Sequence, residues 1–439
     1  MTIFLKRLYR FSQVGFVKKV ATLQVGSFAG NFAQAIIGIF LARLLQPEAF
    51  GLYTLAFSLA SLTSIILGAG SQDAVTTIVA KSYAQEDKSS IKDAFAFLFK
   101  ISIITALLAL IFTLFLPHIS LSFYEDAAIG KFASYIVYAS IISTLFFSVT
   151  LIGLQVTGKI RTMSILTVSD QVFRYGTALI LVLLGSGVYG AVSGHLWGAI
   201  AIAGVSLIIW SRLAHDFSLL PSFADIIKST WNVPLKKYFG FSFWIALDRN
   251  IANLYLALPV ILTGLFVVPT EVTYFKLAFG YINLGLSLLG PISTILSMEF
   301  PKVQVEDGRR LSYNFTRVSM YSLGISSILT LGLVILSPFM FRILYGEAFL
   351  PSIQYTVGLF LYGALFGIGV GLGPMWRAIN KVKISILINL ITLGVGIPLG
   401  WFLIREMGLW GSVWMVTAWF SVSHFISFFY LKNYLKNKA

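Results

Sequence analysis

The sequence predicts an all-α integral membrane protein, with twelve transmembrane helices in two six-helix lobes related by a pseudo-two-fold axis along the membrane normal. Three observations predict it. The chain is 57% hydrophobic and 11% charged, with a mean hydropathy of +0.87, whereas soluble domains are about a quarter charged. Apolar runs of about 20 residues, long enough to cross a hydrocarbon core as helices, recur throughout. The chain also repeats itself at a shift near 222 residues, and such a period fixes the architecture before any local feature does.

The repeat is clearest where Ile39 to Phe57 lies on Ile261 to Phe279, with Pro47 on Pro269 and Leu55-Ala56-Phe57 on Leu277-Ala278-Phe279. Asn31 falls on Asn253, Gly158-Lys159 on Asn380-Lys381, and Gly187 and Gly190 on Gly408 and Gly411. Two tandem copies of six spans follow. In order, the spans are expected at 21–45, 51–80, 95–117, 132–157, 164–185 and 190–211, then 239–266, 273–299, 313–337, 353–376, 384–404 and 409–431. They are helices because backbone amides in lipid must be satisfied within the segment. This gives an N-terminal lobe over 1–210, a linker over 211–238 and a C-terminal lobe over 239–439.

Alternate connections carry 23 Lys and Arg against 3 on the opposite side. Short cytoplasmic loops retain such residues, so both termini are expected in the cytoplasm, and six spans per copy give both lobes one orientation. The same basic loops account for most of the net charge of +15, which removes the case for nucleic-acid binding. Basic residues interrupt every apolar run of the first 20 residues, so this stretch is expected to be retained as an interfacial helix and not cleaved as a signal peptide. The linker holds Phe217, Leu219, Leu220, Phe223, Ile226, Ile227 and Trp231, the pattern of an interfacial helix ending before Pro234.

Polar residues inside the spans form stripes. On the first span Gln24, Ser27, Asn31 and Gln34 share one helical face, matched by Ser242, Arg249 and Asn253 on the seventh. Thr54, Ser58, Ser61, Gly68 and Gln72 repeat this on the second span, and Lys276, Gly280, Asn283, Ser287, Gly290 and Thr294 on the eighth. Packing of small and hydroxyl residues accounts for the serines. It does not account for Arg249, about 15 Å into its span. Four such stripes would line an aqueous cavity. Asp170 and Arg174, spaced i, i+4 on the fifth span, form either a structural ion pair or part of an ion-coupling site, for which Asp73 and Asp248 compete. Arg43 and Lys276 either snorkel or line the cavity, and Lys100 and Arg317 are read as snorkelling residues.

Enzyme chemistry is not expected. His118, His195, His215 and His424 have no metal-ligand spacing, no phosphate loop is present, and the absence of cysteine excludes thiolate metal sites. No cofactor is implied.

The segment LARLLQPEAFGLY, residues 41–53, followed by SQDAVTTIVAKSYAQED, residues 71–87, resembles the polysaccharide exporters of the multidrug/oligosaccharidyl-lipid/polysaccharide (MOP) superfamily. It is most similar in character to their Wzx-type flippases. The resemblance implies a MATE-like fold in a bacterial inner membrane. It also implies movement of undecaprenyl-diphosphate-linked oligosaccharide, as for O-antigen, from the cytoplasmic to the periplasmic leaflet by alternating access. Arg249, Arg174 and Arg43 would be the counterparts of the family's cationic cavity, and Lys276 is counted with them as a substrate-binding candidate. The implied partners are the lipid-linked oligosaccharide, membrane lipids and the glycan polymerase and chain-length machinery. A drug or organic-cation antiporter of the same superfamily is the nearest rival. A membrane-embedded glycan polymerase is a more distant one, since every outer connection is short.

Overall fold

The computed structural model describes residues 15–67, 72–306 and 308–438. Within them the side chains at 15–25, 27, 64, 66, 73, 237, 241, 242, 244, 245, 248, 249, 298, 302, 305, 306, 308, 309 and 438 fall outside the description. Most of the expected N-terminal interfacial helix lies outside it too. Among the described residues every regular element is helical. Eight helices are long and apolar enough to cross a membrane, or nine if Glu347–Gly358 and Phe360–Ala378, bent by 52°, form one span.

That count differs from twelve because helices run together or fall short. Helix α1 (Gly15–Leu67) carries the expected first span and much of the second, divided by a break at Gln46 (φ 63°) instead of a loop. Its described continuation reaches Leu67, and helix α2 (Gln72–Ala84) follows, with residues 68–71 of the expected second span outside the described residues. Helices α3 (Lys88–Tyr124) and α4 (Ala127–Val156) come next. Helices α5 (Ile160–Leu181) and α6 (Gly187–Asp216) are joined by a tight helical turn and pass as one 57-residue element. At 1.5 Å per residue that would be about 85 Å, far beyond one bilayer. It is instead an antiparallel hairpin, since Gly194 meets the backbone of Ala178 and Gly198 that of Arg174. The linker helix α7 covers only Phe223–Thr230, shorter than expected. Pro221 precedes its cap, and Ser222 and Asp225 form a capping box that fixes its start.

The remaining helices are α8 (Lys236–Gly264), α9 (Pro269–Leu286), α10 (Gly290–Glu306), α11 (Gly308–Met340), α12 (Ser352–Gly358), α13 (Phe360–Gly369), α14 (Leu372–Ala378), α15 (Val382–Met407) and α16 (Leu409–Lys438). The chain separates into two compact units. The first is Met1–Leu44 with Leu59–Asn250, and the second is Leu45–Ser58 with Ile251–Ala439.

The repeated residues have matching backbone roles. Gly158 and Asn380 both adopt positive φ (72° and 56°) just before a helix, and Gly187 and Gly408 do so (52° and 56°) at the two hairpin turns. Glycine and asparagine are the residues that accept this conformation most readily. The lysines that follow also correspond, Lys159 lying 5.6 Å over the Phe217 ring and Lys381 5.7 Å over the Tyr434 ring. Pro269 opens α9 at its first helical position, where a missing N–H costs nothing. Pro47 stands just after the break in α1. In the second unit these two prolines meet. A Cβ on Gly51 would lie 2.0 Å from the Pro269 carbonyl oxygen, and Thr273 Oγ1 donates to the Pro47 carbonyl at 2.6 Å. The two copies of the recurring segment are therefore in close helix contact, through Gly51 in the first and Thr273 at the matching position of the second.

The core of the first unit forms where α3 meets its neighbours. Phe95 stands edge-on to Trp210 (5.0 Å), Phe97 to Tyr238 (5.2 Å) and Phe99 to Phe223 (5.5 Å), and all six belong to or pack on one buried cluster.

Candidate functional site

In the second unit, α8, α9, α10, α13, α15 and α16 surround a cavity of about 650 Å³. Its α9 to α10 wall is the polar stripe of the eighth expected span, and Lys276, Gly280, Asn283, Ser287 and Gly290 all line it. Lys276 is half-buried. Its ammonium has no hydrogen-bond or ion-pair partner among the described residues, and no described Asp or Glu lines the cavity. An ammonium held away from bulk water without a counter-ion is costly, so the site is set up to accept an anion.

Around that charge the polar groups are fixed in place. Asn283 Nδ2 donates to the Phe279 carbonyl (2.8 Å), while its Oδ1 accepts from the Tyr362 hydroxyl (2.8 Å). Across the cavity Ser423 Oγ donates to Asn389 Oδ1 (2.7 Å), and the Tyr255 hydroxyl donates to the Asn389 carbonyl (3.2 Å). His424 stands edge-on to Phe366 and Phe420, and the missing side chain of Gly369 makes room for its ring. The arrangement is one cation, two anchored amides and an aromatic wall. It suits a ligand that carries negative charge next to hydroxyl-bearing or ring-like groups.

The first unit treats its intramembrane charge differently. Arg174 Nε donates to Asp170 Oδ1 at 2.7 Å and its terminal nitrogen donates to Ser143 Oγ, with only 14% and 11% of the two charged side chains exposed. Beside this pair Gln34 Nε2 donates to the Tyr175 hydroxyl (2.6 Å), and the Tyr175 ring stands edge-on to His195 (4.7 Å).

The other expected site residues divide three ways. Arg43, Asn31 and Asn253 are exposed, and Asn253 is outside the lining of the second unit's cavity. Ser61 and Gln72 are half-buried. The side chains of Gln24, Ser27, Asp73, Asp248 and Arg249 lie outside the described residues. Sequence reasoning missed Tyr255, Tyr362, Asn389, Ser423 and His424. A signal was present, because Asn389 and the run Ser421, Ser423, His424 are polar residues in the interior of apolar spans.

This fold and this cavity define a class. The structure is similar to the lipid II flippase MurJ in an inward closed conformation, with a TM-score of 0.68 at 16% identity, covering 94% of this chain and 87% of that one. It is also similar to an inward-facing multidrug resistance MATE transporter of the MOP superfamily (0.64, 15%, 94% and 96%). A MOP superfamily transporter from Pyrococcus furiosus with a binding pocket of reversed polarity matches as well (0.63, 16%, 95% and 96%). The chain thus has the MOP-superfamily fold of a multi-pass membrane protein. Residues 40–354 match the family described as polysaccharide biosynthesis protein, and the chain belongs to that family. No protein of curated function matches it in sequence.

Proposed function

We propose that the protein is a flippase that carries an undecaprenyl-diphosphate-linked oligosaccharide across a bacterial cytoplasmic membrane, from the cytoplasmic to the periplasmic leaflet. Membership of the polysaccharide biosynthesis family and the MOP fold support the class. The observation that carries the choice of substrate is Lys276, a cation with no partner among the described residues, in a cavity whose described lining contains no acid. It neutralises diphosphate charge, the amides of Asn283 and Asn389 meet sugar hydroxyls, and the prenyl tail stays in lipid. Arg249 and Arg43 are further candidates for binding the diphosphate, while Arg174 is occupied by Asp170. The lobes 1–210 and 239–439 exchange inward-open and outward-open states, driven by an ion gradient that Asp73 or Asp248 senses. Both termini lie in the cytoplasm, and the product passes to polymerase and chain-length machinery.

A drug or organic-cation antiporter would need an acid where Lys276 stands. The test is export. Lys276→Ala and Arg249→Ala, each made in a cell that depends on this chain for its surface polysaccharide, should abolish the polysaccharide at unchanged protein level. Arg249→Lys should also impair it, because an ammonium lacks the guanidinium fork. Normal polysaccharide with either alanine variant overturns the assignment of that residue, and normal polysaccharide with both overturns the reading.

A further inference from the structure

The linker helix α7 presents more apolar surface than the protein covers. At 100° per residue its buried face is Phe223, Ile226 and Thr230. The apolar arc then continues through Ile227 and Trp231, which are 47% and 68% exposed, before Lys228 and Asp225 begin the polar side. An arc half covered by protein and half bare is what a helix shows at a junction between protein and lipid.

Its depth is set by Lys100 on α3. The Lys100 ammonium donates to the carbonyls of Trp231 (3.2 Å) and Val233 (3.0 Å) and lies 5.9 Å over the Trp231 ring. It is therefore a pin for the linker and not only a snorkelling residue. Lys100 is also the last charge on α3 before the 17 uncharged residues 101–117, about 25 Å of helix. That run bears bare apolar side chains such as Leu107, Ile111 and Leu114, so Lys100 marks one edge of the hydrocarbon core. The pinned Trp231 sits at that edge, the level at which tryptophans gather in membrane proteins. Lys92 and Lys228 both act on the Asp225 carboxylate, and exposed Lys236 follows. Lys92 and Lys228 share this one carboxylate, itself engaged by Ser222, which leaves the spot basic.

We propose that α7 is a membrane-interface anchor, in which Ile227 and Trp231 enter the headgroup boundary while Lys92, Lys228 and Lys236 bind acidic phospholipid headgroups. This is independent of what the protein transports. The chain contains no cysteine, so Ile227→Cys places a single environment-sensitive fluorophore in an otherwise native protein. The protein is reconstituted in nanodiscs of phosphatidylcholine alone or with phosphatidylglycerol. Quenching by a headgroup-level nitroxide lipid is then compared with quenching by aqueous iodide. Lipid quenching should dominate and should increase with phosphatidylglycerol. That increase should fall by about fivefold in partitioning for each lysine removed in Lys92→Gln and Lys228→Gln. Lys100→Met, which removes the pin, should shift quenching toward iodide. Dominant iodide quenching in both lipids overturns the anchor, and lipid quenching indifferent to phosphatidylglycerol overturns the acidic-lipid site.

Discussion

Arg174 and Lys276 are both cations set in apolar helices, one in each compact unit, and their surroundings are opposite. Arg174 has a carboxylate at 2.7 Å and a serine hydroxyl as acceptors. Lys276 has neither among the described residues, and it faces about 650 Å³ of cavity. A charge in a low-dielectric setting acts according to what neutralises it. Arg174 is satisfied from within and holds α5 against α4. On the proposed function, Lys276 is neutralised by the anionic substrate.

The comparison breaks first at Asp170. Asp170→Asn leaves Arg174 uncompensated and should cost about 3–5 kcal/mol, read as a lowered denaturation temperature in detergent. The pair Asp170→Asn with Arg174→Gln should recover most of it, and failure to recover would remove the structural reading of the pair. Lys276→Gln should act the other way round. Stability should hold or rise, because a costly ammonium is gone, while binding of a prenyl diphosphate should weaken about 10- to 100-fold, the worth of one or two charge-assisted contacts. A variant that unfolds while keeping its affinity would reverse the assignment. Tyr362→Phe sharpens the account on a smaller scale. It leaves Asn283 Oδ1 without its donor and should cost about 1 kcal/mol in stability, with a further loss of affinity for the glycan-bearing ligand relative to the bare prenyl diphosphate.

The smallest effect concerns α7, outside both cation sites. The Ser222 hydroxyl, and more weakly Lys228 and Lys92, hold the Asp225 carboxyl below the usual carboxylate range. A depressed value in the folded state means that the capping box contributes stability above the unfolded carboxylate value and loses it as pH falls through the folded one. The protection factors of the amides in the first turn of α7, with intrinsic exchange divided out, should therefore fall in acid and be flat from neutral pH upward.

The helical class and the wall of the cavity were legible because each rests on a short period in the sequence. Lys276, Gly280, Asn283, Ser287 and Gly290 share a face of one helical stretch, and no tertiary information is needed to see that. The repeat was legible because Gly158, Gly187 and Pro47 answer backbone demands that recur at Asn380, Gly408 and Pro269. The opposite wall was not, since Asn389 and Ser423 come together only through the packing of α15 on α16. The linker helix was overestimated because its apolar spacing begins at Phe217, whereas Pro221 and the Ser222 cap set where helix can start. Nor does spacing say which cation is neutralised. Asp170 and Arg174 sit at i, i+4 whether or not they touch, and the cavity beside Lys276 is shaped by five other helices.

On the proposed function, the charge at position 276 holds the anionic head of the substrate in a water-accessible cavity. With no cysteine elsewhere in the chain, Lys276→Cys can be treated with aminoethyl methanethiosulfonate, which restores an ammonium, or with the neutral methyl reagent. Prenyl diphosphate binding should be lost in the variant, regained after the first reagent and not after the second. Equal binding under all three conditions, or rescue by the neutral reagent, would contradict the account.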